Sequence, residues 1–109
     1  MGNSGTHRIK LVRASDGSDV PGGSVSVSML GGTAGQFSYM SLGSPIMLQA
    51  NTSYYVASQE MLGGDQWYDY GTVSTNAGAT VDNAVYSLDG TSWFFAGGAN
   101  MSYVPPNLK

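Results

Sequence analysis

The segment richest in chemistry is Asp65-Gln66-Trp67-Tyr68-Asp69-Tyr70, where carboxylate, amide and aromatic groups alternate. Sugar rings stack their C–H faces on aromatic planes, and their hydroxyls need short polar partners. A loop of this kind offers both. Asp65, Gln66, Trp67, Tyr68 and Tyr70 are therefore the candidate carbohydrate-binding residues, joined by Trp93 beside Phe94. The same tryptophans also suit the core of a small domain, a role that needs them buried rather than exposed.

Other chemistry is thinner. Asp16, Ser18 and Asp19 in one loop, and Asp65 with Asp69 in another, supply the hard oxygens that calcium takes. Asp16, Asp19, Asp65 and Asp69 are thus the candidate metal ligands and calcium the one cofactor considered, although neither loop follows an EF-hand pattern. His7 is the sole histidine and there is no cysteine, so a zinc site lacks its usual ligands. The expected role of His7 is a hydrogen bond across a sheet. No Gly-x-Ser-x-Gly elbow is present, and Glu60 with Asp65 would need a deep cleft to hydrolyse a glycoside. No Gly-x-Gly-x-x-Gly opens a helix. The chain reads as a binding protein, not an enzyme.

Composition narrows the partners. The 109 residues make one small domain, read as a single module over 1–109. Four Lys and Arg against seven Asp and Glu leave a net charge of −3, which excludes a phosphate backbone as partner. No apolar run approaches the ~20 residues of a membrane span. Twelve aromatic residues and 41% hydrophobic content argue for a core rather than disorder. Gly, Ser, Thr and Asn supply 44 of the residues, and cysteine is absent. That combination points to a bacterial extracellular protein, secreted or at the cell surface.

The elements that must position these groups are strands. Short stretches of period two, each closed by Gly, Pro, Asn or Asp, predict an all-β antiparallel sandwich of jelly-roll character with seven or eight strands. The first covers residues 7–14, with Ile9 and Leu11 on one face and Arg8, Lys10 and Val12 on the other. Asp16-Gly17 closes a hairpin. Val25, Val27 and Met29 then alternate with Ser24, Ser26 and Ser28, one face apolar and the other wetted by hydroxyls. Further strands are expected at 36–42, 46–49, 54–60 and 72–75. A second hairpin is expected over 85–95 around Asp89-Gly90, and a last strand over 101–104 before Pro105-Pro106. Met29, Met40 and Met47 are expected to fill gaps in the core.

Gly2-Asn3-Ser4-Gly5-Thr6-His7, Pro45-Ile46-Met47-Leu48-Gln49-Ala50-Asn51-Thr52-Ser53-Tyr54-Tyr55-Val56, and the stretch from Gln59 to Asp69 carry a likeness. Together they resemble bacterial secreted β-sandwich modules of the DUF4082-like kind, which are appended to glycoside hydrolases and large surface proteins. The resemblance covers most of the chain, and its motifs are structural rather than catalytic. It implies a non-catalytic accessory module whose partner is a polysaccharide or other glycan. In such modules the Asn-x-Gly-Thr-His segment follows one or two earlier strands, whereas here it stands at the N-terminus. The resemblance therefore implies a module truncated at its N-terminus, with an open sheet edge. An open edge invites a second copy or a strand-complementing partner, which gives a rival reading as an assembly or adhesion module.

Overall fold

The computed structural model describes residues 5–61, 64 and 71–102. Among them every strand pairing is antiparallel and no helix occurs. The chain divides into two compact units, Met1–Trp67 with Pro106–Lys109, and Tyr68–Pro105.

The first unit is organised by a three-stranded sheet of order β2-β1-β3, formed by β1 (Thr6–Arg13), β2 (Asp19–Ser28) and β3 (Tyr54–Gln59). β1 has the central place, and it is the strand of this sheet whose apolar residues are buried on both faces. Leu11 and Val12 are adjacent in sequence, point to opposite faces, and are both buried. Val12 is fully enclosed, with Tyr55 opposite it on β3. The β1–β2 hairpin closes through Arg13 N donating to Ser18 O (2.8 Å) and Gly17 N donating to Arg13 O (2.9 Å). Gly17 has φ 72°, the left-handed conformation that an Asp-Gly turn requires. Between Lys10↔Ser24 and Val12↔Asp19 the register shifts, and Val20-Pro21-Gly22-Gly23 bulges out opposite Leu11. From Ser24 onward the ladder is regular, and Ser24, Ser26 and Ser28 are exposed while Val25 and Val27 are half-buried.

The strands expected at 36–42 and 46–49 do not form. Residues 29–53 run without a strand, through turns such as Gly32 N donating to Met29 O and Gln36 N donating to Thr33 O. The reason is visible in residues 36–42, where Phe37, Tyr39 and Ser41 face Ser38, Met40 and Leu42. Neither set is clearly the apolar face, so no register is preferred. Without a sheet face to cover, Met40 and Met47 are 54% and 93% exposed rather than filling the core; Met29 is half-buried.

The second unit holds two short ladders. β4 (Gly71–Thr72) pairs with β7 (Met101–Ser102), and β5 (Val85–Tyr86) pairs with β6 (Phe94–Phe95). Ala84, 7% exposed, is its buried hydrophobic residue among those described. Irregular backbone bonds extend the pairing: Ala96 N donates to Ala84 O, Asn100 N to Val81 O and Val73 N to Asn100 O. No helix among the described residues is long and apolar enough to cross a membrane.

Candidate functional site

Of the candidate sugar-binding residues, Asp65, Gln66, Trp67, Tyr68 and Tyr70 lie outside the described residues, as does Asp69. Trp93 is described, half-buried, at the approach to β6. The local structure that presents it is the β5–β6 hairpin.

A two-residue turn at Asp89-Gly90 would set Ser87 against Ser92 and Tyr86 against Trp93. The observed register instead sets Tyr86 against Phe94 and Val85 against Phe95. Asp89 is the cause. Its Oδ1 accepts from Ser92 N at 2.7 Å, Thr91 N at 2.8 Å and Ser87 Oγ at 3.1 Å, while Oδ2 accepts from Ser92 Oγ at 2.9 Å. Gly90 N in turn donates to Ser87 Oγ at 2.8 Å. The carboxylate thus organises a wider loop over residues 87–93, and the pairing moves by one residue. The backbone N–H groups of Ser92 and Thr91, helped by the Ser92 and Ser87 hydroxyls, hold the Asp89 carboxyl well below the usual carboxylate range.

That one-residue shift decides which rings are offered. Tyr86 and Phe94 become a cross-strand pair with ring centroids 5.6 Å apart and planes tilted by 31°. Both are about half exposed, Tyr86 at 48% and Phe94 at 51%. Phe95 and Leu88 on the same hairpin are more exposed still. Tyr86 was not among the residues singled out from sequence. Its signal was the length of the loop, which depends on side-chain capping by Asp89 rather than on the Asp-Gly dipeptide.

A second polar cluster lies in the first unit. Extending the β1–β3 register by one step beyond Arg8↔Gln59 sets His7 opposite Glu60, and Ser58 lies two residues from Glu60 on the same face. His7 Nδ1 is 3.0 Å from Glu60 Oε1 and 2.9 Å from Oε2. An ionised carboxylate only accepts, so Nδ1 carries the proton. Ser58 Oγ also donates to Glu60 Oε1. A nucleophilic serine gives its proton to imidazole; here that proton points at a carboxylate. The cluster ties β1 to β3, as expected of His7.

Of the aspartates considered for calcium, Asp65 and Asp69 lie outside the described residues, and Asp16 and Asp19 are engaged with the protein. Asp16 Oδ1 accepts from Ser18 Oγ at 2.6 Å and Ser18 N at 2.9 Å. The Ser18 hydroxyl, its N–H and the nearby Arg13 keep the Asp16 carboxyl below its ordinary range. Asp19 is 2.7 Å from Lys10 Nζ. Among the described residues no group of three or more His, Cys, Asp or Glu side chains converges as metal ligands would.

No family model matches the chain, and no curated protein or solved structure matches it.

Proposed function

We propose that this chain is a non-catalytic carbohydrate-binding accessory module of a secreted bacterial protein, with the jelly-roll sandwich architecture that its resemblance implies. The observation that carries the reading is the exposed Tyr86–Phe94 pair, presented on a hairpin whose turn is rimmed by Ser87, Asp89, Thr91 and Ser92. Half-exposed rings beside fixed hydroxyl and carboxylate groups match what a sugar offers, an apolar C–H face edged by hydroxyls. Asp65, Gln66, Trp67, Tyr68, Tyr70 and Trp93 remain candidate sugar-binding residues on the strength of their sequence.

The test is binding of the full chain to a panel of plant and microbial polysaccharides, followed by Tyr86→Ala, Phe94→Ala and Trp67→Ala. Losing a stacking ring weakens retention by about tenfold while the fold persists. A wild-type chain that retains no glycan, or ring variants that bind as before, defeats the reading.

One observation favours a second reading, an assembly module that pairs through an open edge. Among the described residues β2 and β3 each have a single neighbouring strand, β1. Size-exclusion chromatography with multi-angle scattering tests it: an assembly module runs above its 11.3 kDa monomer mass, and a monomer at every concentration dismisses it.

A further inference from the structure

The assembly reading leaves open which edge pairs, and with what. The hydrogen-bond phase of the sheet answers the first question. Met29 N donates to Gly5 O at 2.9 Å, continuing the β1–β2 register by one step past Thr6↔Ser28. In an antiparallel ladder residues alternate between those that bond inward and those that bond outward. Met29, Val27 and Val25 therefore direct their backbone groups at β1. Ser24, Ser26 and Ser28 direct theirs away from it, along the outer edge of the sheet. The other ladder agrees: Ala14 N donates to Ser53 O, so the even-numbered residues of β1 bond toward β3 and the odd-numbered ones toward β2.

Among the described residues this edge lacks the usual protection. Natural edges are blunted by charge, proline or a bulge. β2 confines Asp19, Pro21 and its bulge to the first half, and residues 24–28 carry none of them. The sequence of that half is also symmetric. Ser24-Val25-Ser26-Val27-Ser28 reads the same in both directions. Laid antiparallel on a second copy about Ser26, it sets serine against serine and valine against valine, with both apolar faces on the same side. All outward-bonding residues then fall into hydrogen-bonded pairs: Ser26 with the partner's Ser26, and Ser24 with the partner's Ser28, twice over. β3 has no such symmetry, since Tyr54-Tyr55-Val56-Ala57-Ser58-Gln59 presents aromatic residues at one end and polar ones at the other.

We infer that the outer edge of β2 is a two-fold seam at which a second copy of this chain pairs antiparallel about Ser26, joining two three-stranded sheets into one of six strands. A closed two-fold contact of this kind is isologous and ends at the dimer. Charge does not oppose it. Arg8, opposite Ser26 on β1, would lie three strand spacings from its counterpart, about 14 Å, beyond the ~8 Å screening length of physiological salt. Arg8 Nε moreover donates to Ser24 Oγ at 3.1 Å within its own sheet. The inference rests on the assembly reading and is independent of sugar binding.

Sedimentation of the full chain over a wide concentration range tests it. The wild type moves from 11.3 kDa toward twice that mass as concentration rises. Ser26→Pro removes an outward N–H without touching the ladder to β1 and weakens self-association by about tenfold or more. Ser26→Lys and Ser26→Glu change an exposed side chain, so each folds as the wild type does. Each alone places like charges face to face and sediments as a monomer, while their equimolar mixture re-forms a dimer. A wild type that stays monomeric throughout overturns both this seam and the assembly reading. A dimer indifferent to all three variants overturns the seam alone and moves the contact elsewhere. Lysine and glutamate variants that stay apart when mixed overturn the two-fold centre at Ser26.

Discussion

The β1–β2 and β5–β6 hairpins begin from the same chemistry and end as different structures. Each turns at an Asp-Gly pair whose glycine has positive φ, 72° at Gly17 and 77° at Gly90. Each aspartate accepts hydrogen bonds from residues that follow it. Yet the first turn carries a long ladder with a third strand beside it, and the second carries two residue pairs. Turn chemistry sets where a chain reverses; the apolar alternation of its arms sets how far pairing runs. Ile9, Leu11, Val25 and Val27 give the first hairpin one continuous apolar face, with Leu11 buried beneath it. The second has aromatic side chains that remain exposed, which suits a binding surface better than a core.

Substitutions separate the two hairpins. The largest effect is expected at Val12, which is fully enclosed. Val12→Ala leaves a cavity in the three-stranded sheet and lowers unfolding stability by about 2 kcal/mol, read from urea melts. The Tyr86 and Phe94 ring signals, from the short β5–β6 ladder, should keep their native positions under native conditions. Glu60→Ala comes next. It leaves the His7 ring and the Ser58 hydroxyl without this acceptor and costs about 1.5 kcal/mol in the same melts; an unchanged midpoint would show that the clamp adds nothing to the sheet.

Gly17→Ala and Gly90→Ala each force a Cβ into the left-handed region, at about 1 kcal/mol of local strain. At Gly17 the long ladder absorbs it as a shift in melting. At Gly90 the short ladder yields, and amide exchange of Thr91 and Ser92 accelerates. Acid gives the mildest effect. The folded-state pKa of Asp89 lies below its unfolded value near 3.9. Its contribution is therefore complete above that value and fades as pH falls below it. The Thr91 and Ser92 amides should stay protected at pH 5 and lose protection only in strong acid, and Asp89→Asn should abolish that dependence.

The same contrast explains what was legible in the sequence. Asp16-Gly17 with the serine–valine alternation fixes β1 and residues 24–28 of β2, including which face of those residues is wet, because period two admits one register once a face is buried. Residues 19–23 read as connection because Pro21-Gly22-Gly23 signals a turn, and they join β2 only through the bulge opposite Leu11. Asp89-Gly90 marks the second hairpin but not its pairing, since the residue facing Tyr86 depends on how Asp89 caps Thr91 and Ser92. Residues 36–42 and 46–49 read as strands from β-propensity, which fits a half-buried surface and gains nothing where no partner face exists. The exposure of Met47 follows from that missing face. The Asp65–Tyr70 segment is the strongest chemical signal in the sequence and lies outside the described residues, so the proposed site rests on Tyr86 and Phe94.

The central claim is that exposed hairpin aromatics bind sugar, and NMR of the aromatic side chains during titration with a retained polysaccharide tests it most directly. Tyr86 and Phe94 ring resonances should shift together and saturably while those of Tyr54 and Tyr55 on β3 stay in place. Rings that hold their positions through the titration, while the polysaccharide shifts only residues of the first unit, would contradict it.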